Sequence, residues 1–354
     1  MYTPPSASFM NVTTHASPNL CLAPMRGVTT NVYRRALEQC IGGYDRAMAP
    51  FIPSVNAAKI KPRLLHDILP ENNGTLPLVP QCIGREPDDL LLLLRTMADL
   101  GYAEANWNLG CPWPQVTKKR RGAGLLPHPD LIEAVLDRVF ADPPLAFSVK
   151  VRLGLITPDA LEPLFPLFNR YPLSEIIIHP RTASQMYEGT ADVEAFARCL
   201  PQTQHTLCYN GDIFTRDHFN ELQTRFPSIH RWMLGRGALR DPFLAEEIAG
   251  NKTPRDDKEK IQIIHSFHDA IYQQYRETLF GPSPVLGKMK ELWTYLACSV
   301  VSSRPVFKRI KKTQTLAHYE QVIREIFADA EWQPQHDRPD VDAETTDPTP
   351  TTLP

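Results

Sequence analysis

Cys111 lies in Asn108-Leu109-Gly110-Cys111-Pro112, directly after a short apolar run. Gly110 permits a tight turn and Pro112 stops regular structure, so the thiol belongs to a loop. A free thiol has a pKa of about 8.5, so it is protonated at neutral pH and can donate a proton. A structural loop cysteine is the plain alternative for this segment alone. Further on, Lys150 and Arg152 alternate within Ser148-Val149-Lys150-Val151-Arg152 and share one face of an extended run. Two cations at a strand end suit an anionic ligand or an electron-rich ring. His179-Pro180-Arg181-Thr182 adds an imidazole and a guanidinium able to hydrogen-bond a ring or a phosphate. Asn210-Gly211-Asp212 and Gly235-Arg236-Gly237-Ala238 offer close backbone N–H groups and an arginine that can clamp a phosphate bidentately. Each motif is weak alone. They gain weight together, because each follows a different apolar run.

Bringing those segments together requires a repeating scaffold. Short apolar runs occur at 20–24, 78–83, 104–108, 147–151, 175–179, 206–210 and 231–234, with a weaker one at 45–49. Amphipathic stretches at 87–100, 129–140, 158–168 and 215–226 lie between them, several opened by proline as helices often are. Strand-then-helix alternation implies a parallel sheet. The polar residues Gln81, Asn108, Lys150, Arg152, His179, Arg181, Asn210, Asp212 and Arg236 all fall at C-terminal strand ends. A (β/α)8 TIM barrel gathers such ends on one face, and its loops after strands seven and eight commonly bind phosphate. A doubly wound sheet would gather ligands at a single switch point instead. The α/β barrel is therefore expected over 20–250, followed by a small all-α helical-bundle domain over 251–330. Residues 1–19 read as a flexible leader and 331–354 as a disordered Pro-rich, acidic tail.

The chain has 354 residues, 42% hydrophobic and 22% charged, enough to bury a substantial core. No apolar run reaches the 18 to 20 or so residues of a membrane span, and the N-terminus lacks a secretory pattern. The seven cysteines form no CxxC pair, so neither a disulfide framework nor a zinc site is expected. Reduced thiols point to a cytoplasmic protein without a metal. The net charge of −2 announces no nucleic acid, so RNA would need local patches. Two exist: Lys118-Lys119-Arg120-Arg121, and Lys308, Arg309, Lys311 and Lys312 with Lys288 and Lys290 upstream.

The opening Ala23-Pro24-Met25-Arg26-Gly27-Val28-Thr29, then Gln81, the Asn108–Pro112 loop, Lys150-Val151-Arg152, His179-Pro180-Arg181-Thr182, Asn210-Gly211-Asp212 and Gly235-Arg236-Gly237-Ala238 resemble, in order, the tRNA-dihydrouridine synthases. The resemblance runs from Leu20 to about Ala328. It implies FMN as cofactor, NADPH as reductant, tRNA as substrate and a monomeric protein. Pro24, Met25 and Arg26 would border the flavin. Gln81, Lys150 and His179 would contact its ring system and ribityl chain. Asn210, Gly211, Asp212, Gly235 and Arg236 would hold its phosphate. Asn108 and Arg152 would meet the target uridine, and Lys288, Lys290 and Lys311 the tRNA. The implied reaction reduces the uracil C5–C6 bond, with hydride from reduced FMN to C6 and a proton from Cys111 to C5. The stretches 288–296 and 306–311 resemble the branch acting on uridine 16, with 17 and 20 as alternatives. The sequence departs from the family pattern at Thr30, Met48-Ala49-Pro50-Phe51 and Asn106. Competing readings are an FMN barrel reductase of a free pyrimidine or enoate, a non-catalytic RNA-binding protein, and a phosphosugar barrel enzyme. The basic helical segment, the retained polar residues and the cysteine loop, respectively, argue against them.

Overall fold

The computed structural model describes residues 17–56, 59–250 and 255–334. The first sixteen residues of the expected leader and the tail from 335 onward lie outside them. Ten strands form one parallel sheet: β1 (Asn19–Leu22), β2 (Arg46–Met48), β3 (Ile52–Pro53), β4 (Leu78–Val79), β5 (Gln81–Ile83), β6 (Glu104–Leu109), β7 (Ala146–Gly154), β8 (Ile176–Thr182), β9 (Leu207–Tyr209) and β10 (Arg231–Leu234). β2 and β3 make one stave bent at Ala49-Pro50-Phe51, because β2 pairs with β4 and β3 with β5. Likewise β4 and β5 are one run divided at Pro80, which cannot donate to a ladder. The Val79 carbonyl accepts from Ala49 on one side, and the Pro80 carbonyl accepts from Asn106 on the other. β1 pairs with both β10 and β2, so eight staves close into the expected barrel.

Alternation along the strands sorts the side chains. Cys21, Met48, Val79, Ile177, Cys208 and Met233 form a small buried cluster of their own inside the barrel. Residues at alternate positions, such as Leu20, Leu22, Trp107 and Phe147, belong to the larger core between sheet and helices. Near the N-terminal strand ends Glu175 is fully buried and holds Arg46 at 2.6 Å and Arg231 at 3.1 Å. This ionic layer fits the stabilising role of that face of a barrel.

Around the sheet run α1 (Asn31–Cys40), α2 (Pro62–Leu65), α3 (Pro87–Asp99), α4 (Pro114–Thr117), α5 (Pro129–Phe140), α6 (Phe165–Phe168), α7 (Val193–Cys199), α8 (Arg216–Arg225), α9 (Arg236–Arg240) and α10 (Leu244–Ala249). The helix expected over 158–168 is broken. It consists of two 3-10 turns and α6, because Pro163 and Pro166 remove backbone donors from any longer helix.

Four further helices follow: α11 (Asp257–Thr278), α12 (Pro282–Leu296), α13 (Ser303–Lys311) and α14 (Leu316–Asp329). Pro282 opens α12 at a first-turn position where its missing N–H costs nothing. A buried polar knot ties the bundle: the Tyr319 hydroxyl meets His268 Nε2 at 2.6 Å and Trp293 Nε1 at 2.9 Å. The bundle docks on the segment after β1. Phe267 packs edge-on against Tyr33, Tyr275 meets Thr30 at 3.1 Å, and Lys288 Nζ donates to the Gly27 carbonyl at 2.9 Å. These contacts fix the segment that directly follows Arg26. Among the described residues no helix is long and apolar enough to cross a membrane.

Asp241, just after α9, is 3% exposed, and burial pushes its carboxyl up to about 7, with Glu247 adding and Lys260 opposing. The folded state thus holds this proton more tightly than the unfolded chain, whose Asp titrates near 3.9. The stabilising contribution is full below about pH 4 and is lost as pH rises through about 7. Asp241→Asn is expected to remove a loss on the order of 4 kcal/mol across that window. Urea midpoints of both proteins between pH 5 and 8 check this; parallel curves would contradict it.

Candidate active site

At the C-terminal strand ends two adjoining cavities open. Pro24, Lys150, His179 and Tyr187 line both. The first is walled by Asn210-Gly211-Asp212 after β9 and Gly235-Arg236-Gly237 after β10. The second is walled by Asn108, Cys111 and Arg152 after β6 and within β7.

The cysteine loop is fixed by one side chain. Asn108 Oδ1 accepts from the backbone N–H of Gly110 at 3.0 Å and of Cys111 at 2.8 Å. From the other side Gly122 closes on it. Its φ is +56°, and a Cβ there would lie 2.8 Å from both the Cys111 Cβ and carbonyl oxygen. Only glycine meets both conditions. Burial pushes the Cys111 thiol above its ordinary value, against the opposing pull of Arg26, Arg152 and Lys150. The sulfur therefore carries its proton at neutral pH, as an acid must and a nucleophile must not.

Beneath the loop, Gln81 donates to Asn106 Oδ1 at 2.8 Å and accepts from Asn108 Nδ2 at 2.8 Å. Gln81 is fully buried and lines neither cavity, so it acts on the site through Asn108. Asn106 also donates to Ser148, which gives this departure from the family pattern a place inside the barrel.

Lys150 and Arg152 share the inward face of β7, as their alternation predicts. Burial and then Arg152 lower the Lys150 ammonium to about 8. Among the described residues it has no hydrogen-bond or ion-pair partner, yet it faces both cavities. His179 is held well below its ordinary value by burial and by Arg152, Lys150, Arg181 and Arg236. Arg181 can only donate, so His179 Nε2 accepts from it at 3.2 Å and the neutral ring carries its proton on Nδ1. Arg152 Nη1 donates to the Thr182 and Met186 carbonyls, tying the loop after β8 to the mouth.

Asp212 is spent on two arginines: Arg181 at 3.0 Å and Arg236 at 2.8 Å to the same carboxylate oxygen. These pairs outweigh burial and keep its pKa low. Gly211 is required for this turn, since a Cβ there would lie 2.1 Å from the Tyr209 hydroxyl. A Cβ on Gly235 would meet nothing closer than Ala23 at 3.6 Å, so its backbone borders open space. Against the one carboxylate Asp212 stand Arg26, Lys150, Arg152, Arg181 and Arg236. A buried cationic mouth with a free ammonium and a glycine-bordered recess fits a phosphate-bearing ring cofactor.

Pro24, Met25 and Arg26 also line this mouth. Lys288 and Lys290 do not join it. Lys288 is engaged by Gly27 and Glu291, and Lys290 Nζ donates to the Thr313 carbonyl, so both hold the bundle together. Lys311 is exposed on α13 beside exposed Lys308 and Lys312. Tyr187, like Phe214 and Trp113 that also line the mouth, escaped the sequence reading. The Tyr187 ring has Arg236 at 4.8 Å and Arg152 at 5.4 Å from its centroid, and it stands between the two cavities. It sits in a loop with no periodic pattern, so only its nearness to the His179 motif could have signalled it. Among the described residues no group of acids, histidines and cysteines could hold a metal.

The sequence profile of the family described as dihydrouridine synthase (Dus) matches residues 21–324. A relative from Cupriavidus necator named tRNA-dihydrouridine(16) synthase is 30% identical over 314 residues, covering 86% of this chain and 96% of its own. A protein of the same name from Pseudomonas putida is 26% identical over 318 residues, with 86% and 96% covered. The tRNA-dihydrouridine synthase B of Pasteurella multocida is 27% identical over 227 residues, with 63% and 66% covered. With this match over most of its length, the chain belongs to the dihydrouridine synthase family of flavin-dependent oxidoreductases.

Proposed function

We propose that this protein is a tRNA-dihydrouridine synthase that reduces the C5–C6 bond of a D-loop uridine, at position 16. The observation that carries the reading is one mouth holding both a protonated, buried Cys111 and a cationic, glycine-bordered recess, joined through Lys150 and His179. The relatives named for position 16 support the choice of uridine. The cofactor would be FMN, which when bound supplies the hydride drawn from NADPH.

The chain's own groups have separable tasks. Asn210, Gly211, Gly235 and Arg236 hold the cofactor phosphate, with Asp212 fixing Arg236. Lys150 places a cation beside the ring system. Neutral His179 presents Nδ1–H as a donor rather than adding a further charge. Pro24, Met25 and Arg26 form the wall after β1. Asn108 and Arg152 orient the extruded uracil, which must leave its stack to reach this depth. Cys111 then delivers its proton to C5. Residues 20–250 carry this chemistry, and 251–330 carry tRNA contacts, in a cytoplasmic enzyme.

Lys308 and Lys311 are exposed on one edge of α13. Charge reversal of both should weaken tRNA binding and flatten the salt dependence by about two counterions. A Kd series from 50 to 200 mM salt checks this, and unchanged binding would remove the patch from the interface. Position-resolved dihydrouridine mapping of tRNA from cells with and without the gene tests the whole reading. Loss at 16 is expected. Loss at 17 or 20 would correct the position, and no loss anywhere would favour a small-molecule flavin reductase.

A further inference from the structure

We propose that a second cleft, beside the mouth, binds the base of a tRNA nucleotide adjacent to the one reduced; this rests on the tRNA reading above. The cleft lies between the bend of the β2–β3 stave, α2 and α4, and shares Arg26, Pro50 and Phe51 with the Cys111 cavity. Its walls are apolar, from Phe51, Ile52, Leu64 and Val116. Its rim is cationic, from Arg26, Arg63, Lys119 and Arg121. Among the described residues the side chains of Arg63, Lys119 and Arg121 make no hydrogen bond or ion pair, and Arg26 lies 5.8 Å above the Phe51 ring. The one carboxylate in its lining, Asp67, is already satisfied. Its Oδ1 accepts from the Asn31 N–H at 2.6 Å and its Oδ2 from Arg34 at 3.1 Å.

An apolar slot with an aromatic wall and unspent cations around it matches an unstacked base with a phosphate on either side. Two features favour a nucleotide of the substrate strand. The slot adjoins, across Arg26, Pro50 and Phe51, the chamber where the target base must sit, and extruding that base also unstacks its neighbour. A seat for the neighbour offsets part of that cost. It also makes the sequence beside the target part of what the enzyme reads.

The test fills the slot in the full-length, flavin-bearing protein. Val116→Trp fills it from α4, and Leu64→Trp fills it independently from α2. Each is expected to lower kcat/KM for tRNA by roughly tenfold or more, the scale of one lost base-stacking contact. The Kd for tRNA should weaken in step, and anaerobic flavin reduction by NADPH should proceed at the wild-type rate. An abasic site placed on one side of the target uridine should cost the wild type a similar factor and cost the filled variants nothing further. Unchanged tRNA kinetics in both folded variants would overturn the proposal. So would abasic losses that simply multiply with the variant's loss. Slower flavin reduction with intact tRNA kinetics would overturn it too, by assigning the slot to the nicotinamide nucleotide. Failure of the tRNA reading itself shows earlier and separately, as no dihydrouridine formed by the wild type on any tRNA.

Discussion

Cys111→Ala is expected to keep its flavin and fold and to lose about 10²- to 10⁴-fold in the rate of dihydrouridine formation, the usual worth of a positioned general acid. Two observations set the size of the effect. The thiol is buried and held protonated, so the wild-type acid is fully populated at neutral pH. Its loop is pinned by Asn108 and pressed by Gly122, so no other donor can move into its place without rebuilding the turn. The flavin recess lies on the far side of Lys150 and His179 and should survive the substitution. Single-turnover conversion of tRNA by pre-reduced protein separates the two steps. Slow tRNA conversion with normal flavin reduction by NADPH is the expected pattern. A wild-type rate in the alanine variant would remove Cys111 from the chemistry.

The largest stability effect is expected at the opposite end of the barrel. Glu175→Ala should cost about 3–5 kcal/mol, the usual loss on stripping one partner from a buried ion pair. Glu175 is fully buried, and its removal leaves Arg46 with Glu104 at 3.7 Å as its remaining anion. The carboxylate also gathers Arg231, so three strand starts on β2, β8 and β10 lose their common tie. Denaturant unfolding of both proteins measures the cost. The fraction that remains folded should turn over normally, because the mouth lies at the other ends of these strands. A change below about 1 kcal/mol would place this pair with exposed bridges of little worth.

The barrel was legible because its alternation of short apolar runs and amphipathic stretches recurs around one ring. The mouth was legible for the same reason, since Asn108, Lys150, His179, Asn210 and Arg236 each lie on or just after a separate strand. Where the reading stopped, tertiary register decided. Gln81 pairs with Asn106 across β5 and β6, and its amide is shared between Asn106 and Asn108, a link that spacing alone does not show. The spacing of Lys288 and Lys290 shows a charged helix face, and both half-buried side chains also reach backbone carbonyls, those of Gly27 and Thr313. Tyr187 has no spacing signal at all, because the loop after β8 is shaped by Arg152 reaching across to Met186. The Pro163 and Pro166 breaks were readable in principle, since proline forbids the long helix whatever the packing.

The central claim is that one mouth both holds a flavin and protonates a tRNA uridine. Its most direct test is a single incubation of the purified flavin-bearing protein, NADPH and tRNA lacking dihydrouridine, followed by mass mapping of the D-loop. The account predicts a gain of two hydrogens at uridine 16 in the wild type, and none at any position with Cys111→Ala on the same timescale. A protein that oxidises NADPH with a free pyrimidine or an enoate while leaving every tRNA uridine unchanged would contradict it.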